Sequence, residues 1–216
     1  MIRQNNWVCF KDGLDKETCE KILNYAENKL PKISDKEEVN DAHHRYNEDQ
    51  EKTDIAYVGG DGQWICDSIW KYMSQANEEA GWKYSITSTE PFQIARYKKG
   101  MYYDWHPDGK SDHLSTYKSI INPLVHGRIR KLTMAVILND DWEGGEFQFA
   151  KFEHPPSETM VKTWEDRPAP DYKIHTPKCK TGSVLVFPSD MWHRVKPVTK
   201  GIRYTLVAWF LGPPFI

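Results

Sequence analysis

Apolar positions recur along the chain with two different periods, and the change of period divides it. In the segment 14–29, LDKETCEKILNYAENK, Cys19, Ile22, Leu23 and Ala26 repeat at helical spacing behind Asp15, an aspartate able to cap the first turn. This predicts an amphipathic helix. A second is predicted over 62–80, where Trp64, Ile65, Ile69, Met73 and Ala76 form one stripe. Between them, 35–54 is almost wholly polar and reads as a solvated loop. After Trp82 the pattern changes to short apolar or alternating runs, FQIARY, MYYDWH, LTMAVIL, EFQFA, SVLVF and RYTLVAWFLG, separated by Gly, Pro, Asp and Asn. These predict strands. Two helices followed by six or more short strands favour a sandwich or barrel with helices on one face, because a twisted sheet must hide its apolar face and its edges. Two long connections, 109–129 and 151–180, interrupt the strands and are candidate lids or surface insertions.

Composition narrows the class. With 216 residues the chain is long enough for one well-cored domain and short for two. A net charge of −2, from 31 acidic and 29 basic residues, offers no basic excess for gripping phosphate backbones, so no nucleic-acid partner is expected. No apolar run approaches the ~20 residues needed to span a bilayer, so no membrane insertion is expected either. The N-terminal MIRQNNWVCFKDG lacks the apolar stretch and cleavage site of a secretory signal, which points to a cytoplasmic protein. Cys9, Cys19, Cys66 and Cys179 are scattered without a CxxC pair, as expected of reduced thiols.

Candidate chemistry lies in the second half. His106-Pro107-Asp108 ends the run MYYDWH; in a continuing strand positions 106 and 108 share a face, and so does Asp104, which leaves the carboxylate undecided. His193 follows SVLVF and a turn, and Arg203 heads the run RYTLVAWF. Two histidines and one carboxylate suit a non-haem Fe(II) site with open coordination positions. An arginine within an apolar strand is costly unless paired, and its fork-shaped cation suits a carboxylate, whether of a ligand or of an Asp or Glu in the chain. The adjacent His43 and His44 have no neighbours that complete a metal site.

The blocks RYKKGMYYDWHPDG, RKLTMAVILNDDWEGGEFQF and TGSVLVFPSDMWHRVKPVTKGIRYTLVAWF together resemble the catalytic region of the prolyl 4-hydroxylase-like branch of the 2-oxoglutarate/Fe(II)-dependent oxygenases, over roughly 91–212. The resemblance implies an α+β, mainly β fold: a double-stranded β-helix, or jelly roll, with N-terminal helices packed on the major sheet. The implied organisation is one oxygenase domain, 1–216, with a helical support region over 1–85 and the catalytic core over 91–212. By the same resemblance His106, Asp108 and His193 are the iron ligands and catalytic centre. Arg203 anchors the distal carboxylate of the cosubstrate, and Tyr97 hydrogen-bonds nearby. A second tyrosine found in some animal relatives is replaced here by Ile137, with Thr133 on the same strand face. The implied cofactors are Fe(II), 2-oxoglutarate and O2, with ascorbate as a further candidate. The implied reaction is hydroxylation of a C–H bond, with a prolyl residue of a peptide or protein as substrate.

Tyr103, Trp105, Trp142 and Trp192 are candidates to line a groove for an extended chain, and 109–129 to cover it. Competing readings are an oxygenase acting on a small molecule or another side chain, a zinc hydrolase on the same ligands, and a non-catalytic jelly-roll binding module. Arg203 argues against the hydrolase. The nucleic-acid demethylating branch carries a further arginine six residues past the first, where this chain has Trp209.

Overall fold

A computed structural model describes residues 6–30, 51–109, 116–118, 125–152 and 172–215. The histidines His43 and His44 and most of both long connections lie outside the described residues. In chain order the elements are β1 (Val8–Phe10), α1 (Lys16–Glu27), β2 (Glu51–Lys52), β3 (Asp54–Tyr57), α2 (Gln63–Glu79), β4 (Ser88–Thr89), β5 (Gln93–Tyr97), β6 (Tyr102–His106), β7 (Ile129–Ile137), β8 (Glu143–Gly144), β9 (Phe147–Phe152), β10 (Tyr172–His175), β11 (Val184–Pro188), β12 (Trp192–Val195), β13 (Val198–Lys200) and β14 (Arg203–Gly212).

Both predicted helices form, and Asp15 caps α1 by accepting the Thr18 N–H at 2.7 Å. All six predicted strand runs form as well. They pair into a major sheet of order β1-β11-β7-β14-β5-β3, with β4 added to β14, and a minor sheet of order β10-β9-β12-β6-β2. The fold is a mainly β double-stranded β-helix with both helices on the major sheet.

Strand alternation sorts the major sheet into two faces. Ile94, Leu132, Met134, Val136, Val184, Val186, Leu206, Ala208 and Phe210 meet Cys19, Ile22 and Ala26 of α1 and Ile65, Ile69, Met73 and Ala76 of α2 in one buried cluster. Each fully buried aliphatic of this kind contributes about 1.5–3 kcal/mol relative to its exposed state. The intervening residues, including Ala95, Tyr97, Ala135, Leu185 and Phe187, meet Phe147, Phe149 and Val195 of the minor sheet in a second cluster between the sheets. A cavity opens beside that second cluster.

The first 85 residues supply more than helices. β1 pairs with β11, β3 with β5 and β2 with β6, so this region also extends the sheets. Asp54, expected in a solvated loop, is instead 1% exposed in β3. Its carboxylate accepts from Arg96 Nε at 2.9 Å and Nη2 at 2.7 Å, and this pairing is what allows both charges under α1.

Candidate active site

The cavity between the sheets, about 100 Å³, is lined from the minor-sheet side by Tyr103, His106 and His193 and from the major sheet by Thr133, Arg203 and Thr205, with Asp108 and Arg130 beside them. His106 ends β6 and His193 lies within β12, directly opposite it in the antiparallel register. His193 thus belongs to a strand rather than to a turn after one. One β12 step, His193 to Val195, spans His106 to Tyr103 on β6, so β6 carries an extra residue, a β-bulge. The bulge overturns simple parity. Tyr103, not Asp104, shares the inner face with His106, and its ring stacks on the imidazole at 3.6 Å between centroids. Asp104 turns to the backbone, where its carboxylate accepts the Trp105 N–H at 2.7 Å.

The carboxylate left beside the histidines is Asp108. Its oxygens lie 3.8 Å from His106 Nε2 and 3.4 Å from His193 Nε2, and the three residues offer ligand atoms all within 4.8 Å of one another. Each imidazole is tied behind: His106 Nδ1 sits 2.6 Å from the Asp104 carbonyl and His193 Nδ1 2.8 Å from that of Met191. A carbonyl only accepts, so Nδ1 carries the proton in both rings and Nε2 presents its lone pair to the centre. Burial, reinforced by the neighbouring His193, pushes the His106 pKa down to about 3 and keeps the ring neutral. Burial alone would raise the Asp108 pKa, but the positive charge that His193 or His106 carries when protonated, the Arg130 guanidinium and the Thr133 hydrogen bond outweigh it and hold the carboxyl below its ordinary range. Two neutral imidazoles and a carboxylate are a donor set for a divalent cation.

Asp108 is held by residues the sequence did not single out for that task. The Thr133 hydroxyl donates to Asp108 Oδ2 at 2.8 Å and lies 3.0 Å from the buried Ser189 hydroxyl. Thr133 therefore orients the Asp108 carboxylate. Arg130 Nη1 donates to the Asp108 carbonyl at 3.2 Å, its Nε and Nη2 pair with Glu90 at 2.5 and 2.7 Å, and its guanidinium lies 4.0 Å over the Trp209 ring. Tyr117 donates to the same Glu90 at 2.6 Å. An arginine opening an apolar strand was the available signal for Arg130.

Arg203 faces the cavity from β14, opposite Tyr97 on β5, and is fully buried. Its Nη1 donates to Thr205 Oγ1, while Nε and Nη2 have no hydrogen-bond partner among the described residues. Burial lowers its pKa, opposed by the nearby Tyr97 and Cys179; no Asp or Glu is among the groups acting on it. The alternative of an internal salt bridge is thus absent among the described residues. The LNDDWEGGEF block sets the arginine in place. Asn139 donates to the Ile202 carbonyl at 2.7 Å and accepts the Tyr204 N–H at 2.8 Å, bracketing Arg203 on both sides. Gly145, at φ +63°, passes so close that a Cβ there would lie 3.1 Å from Arg203 Cδ. A side chain at this position would clash with Val198 Cγ2, 2.9 Å from that Cβ, and press on the guanidinium stem.

A family model of the 2OG-Fe(II) oxygenase superfamily matches residues 92–211. The chain belongs to that superfamily. As an oxygenase it has a PKHD-type hydroxylase of Gloeothece citriformis as one relative, 30% identical over 116 residues that take in 54% of this chain and 40% of the relative. The chain thus spans well under half the length of this curated relative. Among solved structures, the viral collagen prolyl hydroxylase of Paramecium Bursaria Chlorella virus-1 superposes with a TM-score of 0.61 at 16% identity, covering 96% of this chain and 97% of the other. The Trichoplax adhaerens prolyl hydroxylase, solved with a hypoxia inducible factor peptide fragment, superposes at 0.60 with 18% identity over 95% and 83%. At these identities the likeness is one of fold.

The oxygenase keeps one of the four groove aromatics in its cavity. Tyr103 lines it. Trp105 and Trp192 turn to the outer face of the minor sheet, where they pack with Ala150 and under Arg194, whose guanidinium lies 4.6 Å from the Trp105 ring. Trp142 donates its indole N–H to Asn139 at 2.9 Å and sits 5.5 Å from the Arg203 guanidinium. Among the described residues no helix is long and apolar enough to cross a membrane.

Proposed function

We propose that this oxygenase is an Fe(II)- and 2-oxoglutarate-dependent dioxygenase that hydroxylates a prolyl residue of a peptide or protein, working as one domain over 1–216. The observation that carries the cosubstrate half is Arg203: two buried guanidinium nitrogens without partners among the described residues, in the same cavity as the His-Asp-His cluster. A buried guanidinium left half satisfied is costly, and a carboxylate accepting from Nε and Nη2 is the group that would complete it. His106, Asp108 and His193 would hold the iron. Arg203 and Tyr97 would hold the distal carboxylate, with Thr205 fixing the guanidinium from the side.

When bound, iron and 2-oxoglutarate supply oxidative decarboxylation of the keto acid by O2, with one oxygen atom passing to the substrate C–H bond. The chain's own part is geometric. The carbonyls behind His106 and His193 fix both tautomers, Thr133 and Ser189 aim Asp108, and Asn139 with Gly145 seats Arg203. Phe147, Phe187 and Val195 give the cavity apolar walls that limit water. The prolyl substrate is supported by the names of the fold neighbours, one of them solved with a peptide. Ascorbate is proposed as an auxiliary reductant.

Anaerobic titration of the protein with Fe(II) and 2-oxoglutarate tests the cofactor assignment through the visible charge-transfer band of the chelate. The band is expected in the natural protein and absent in His193→Ala and Arg203→Ala. Metal binding without a band would instead favour a hydrolase or a binding module. Incubation with O2, ascorbate and a panel of proline-containing peptides then tests the substrate. Gain of the mass of one oxygen atom on proline is expected, and succinate release without any peptide modified would point to a different substrate.

A further inference from the structure

Two cysteines far apart in the chain meet at the open side of the inter-sheet core. Cys9 lies in β1 opposite Leu185 of β11, and Cys179 lies just ahead of β11; both pack against the cluster that contains Leu185, Phe149 and Phe187. Each thiol is the leading influence on the other's acidity, which sets the two sulfurs as close neighbours. Backbone and hydroxyl ties hold the two segments together independently of the sulfurs. The Leu14 N–H donates to the Gly182 carbonyl at 3.0 Å, Ser183 Oγ donates to the Lys11 carbonyl at 3.1 Å, and the Lys180 N–H donates to Ser183 Oγ at 3.0 Å. The thiols are therefore held side by side by the fold itself. All four cysteines are free thiols, as expected, and two of them are neighbours in space.

We propose that Cys9 and Cys179 are a redox modification site that closes to a reversible disulfide when a peroxide reaches it. The Cys9 sulfur attacks one peroxide oxygen, forming a sulfenic acid and releasing water from hydrogen peroxide. The Cys179 sulfur then attacks the Cys9 sulfur and expels the hydroxyl as a second water. Two thiols thus lose two electrons and two protons, and one hydrogen peroxide becomes two waters. The order of events follows from the pair's asymmetry. The hydrogen bond from Cys179 lowers the Cys9 pKa, burial opposes it and Lys11 adds to the lowering, whereas the Cys179 pKa is raised.

The other two cysteines provide internal comparison. Cys19 is fully buried beneath α1, with burial pushing its pKa up to about 11, and burial also raises that of Cys66 on α2. Neither stands in the 9–179 pair. Cys9 and Cys179 are only half buried, open enough for a small oxidant.

The test uses the full chain, metal-free so that no iron chemistry intervenes, treated with hydrogen peroxide, alkylated and digested without reductant. Two of the four thiols are expected to disappear, with a linked Cys9–Cys179 peptide that dithiothreitol releases and with Cys19 and Cys66 still alkylated. In Cys179→Ser the Cys9 sulfenic acid should persist and react with dimedone, and Cys9→Ser should give no crosslink. The oxidised natural protein should melt several degrees above the reduced one, because the bridge closes a long loop. Four free thiols under peroxide that fully oxidises glutathione would overturn the proposal. So would Cys9 advancing to sulfinic acid while Cys179 stays free, or a crosslink that includes Cys19 or Cys66. None of these outcomes depends on the cofactor assignment.

Discussion

The two faces of the major sheet are made by the same strands and do different work. On β14, Leu206, Ala208 and Phe210 turn to the helices, while Arg203, Thr205 and Trp209 turn to the cavity. On β7, Leu132, Met134 and Val136 face the helices, and Thr133 and Ala135 face inward. The helix face is apolar, apart from the paired Arg96 and Asp54, and closes on itself. The cavity face carries a buried guanidinium with two nitrogens unpartnered among the described residues and a hydroxyl committed to Asp108. A step of one residue along either strand thus separates side chains that pack against the helices from side chains that face the His106, Asp108 and His193 cluster.

This contrast can be broken or sharpened by substitution. Leu206→Ala, on the helix face, should lower the unfolding free energy by about 2–5 kcal/mol in urea melts, with the chelate band of the folded fraction unchanged. Arg203→Leu, three residues away, should leave the melting temperature unchanged or raised, since it removes a buried, half-satisfied cation. The same change should weaken 2-oxoglutarate binding by about 2–5 kcal/mol in calorimetry. A large loss of stability in Arg203→Leu would mean that the cation is structural after all. Thr133→Val keeps shape and removes the hydroxyl that aims Asp108, so metal affinity against a chromogenic chelator should fall roughly 10- to 100-fold. An unchanged affinity would make Thr133 a packing residue.

The most gradual effect concerns pH. Folded His106 stays neutral to about 3, while the unfolded chain takes up a proton below its ordinary 6.5, so in that window the unfolded state binds more protons. Metal-free protein should therefore lose stability as pH falls from 6.5 towards 3, by at most about 1.4 kcal/mol per pH unit from this group. Asp108, whose pKa is lowered, adds to the loss only below the ordinary carboxylate range. His106→Gln should flatten the slope between 6.5 and 4; an unaltered slope would show that other groups govern it.

Much of this was legible in the residues. The helical stripe of Cys19, Ile22 and Ala26 and that of Ile65, Ile69 and Met73 predict helices that form with nearly the expected bounds, because their period is local. The strand runs are equally plain, and His106, Asp108, His193 and Arg203 do line one cavity. The short strands were missed. β1, β3 and β12 are too brief to display alternation, and they exist because a longer strand offers them a partner. Arg130 shows in sequence only as an arginine opening an apolar run and Glu90 as an ordinary charge; they become a partly buried pair only when β7 comes beside the segment ahead of β5.

Alone, the sequence determined which residues would seek burial, which period each element would follow and which side chains could bind a metal and a dicarboxylate. Those properties belong to single residues and their near neighbours. Only the tertiary structure decided that a bulge in β6 turns Tyr103 inward and leaves Asp108 as the carboxylate at the centre. It also turned Trp105 and Trp192 to the outer face, freed Arg203 of any internal acid among the described residues and set Cys9 beside Cys179. Each of those depends on strand register, which is settled between segments distant in the chain, and a shift of one residue in register exchanges the two faces of a strand.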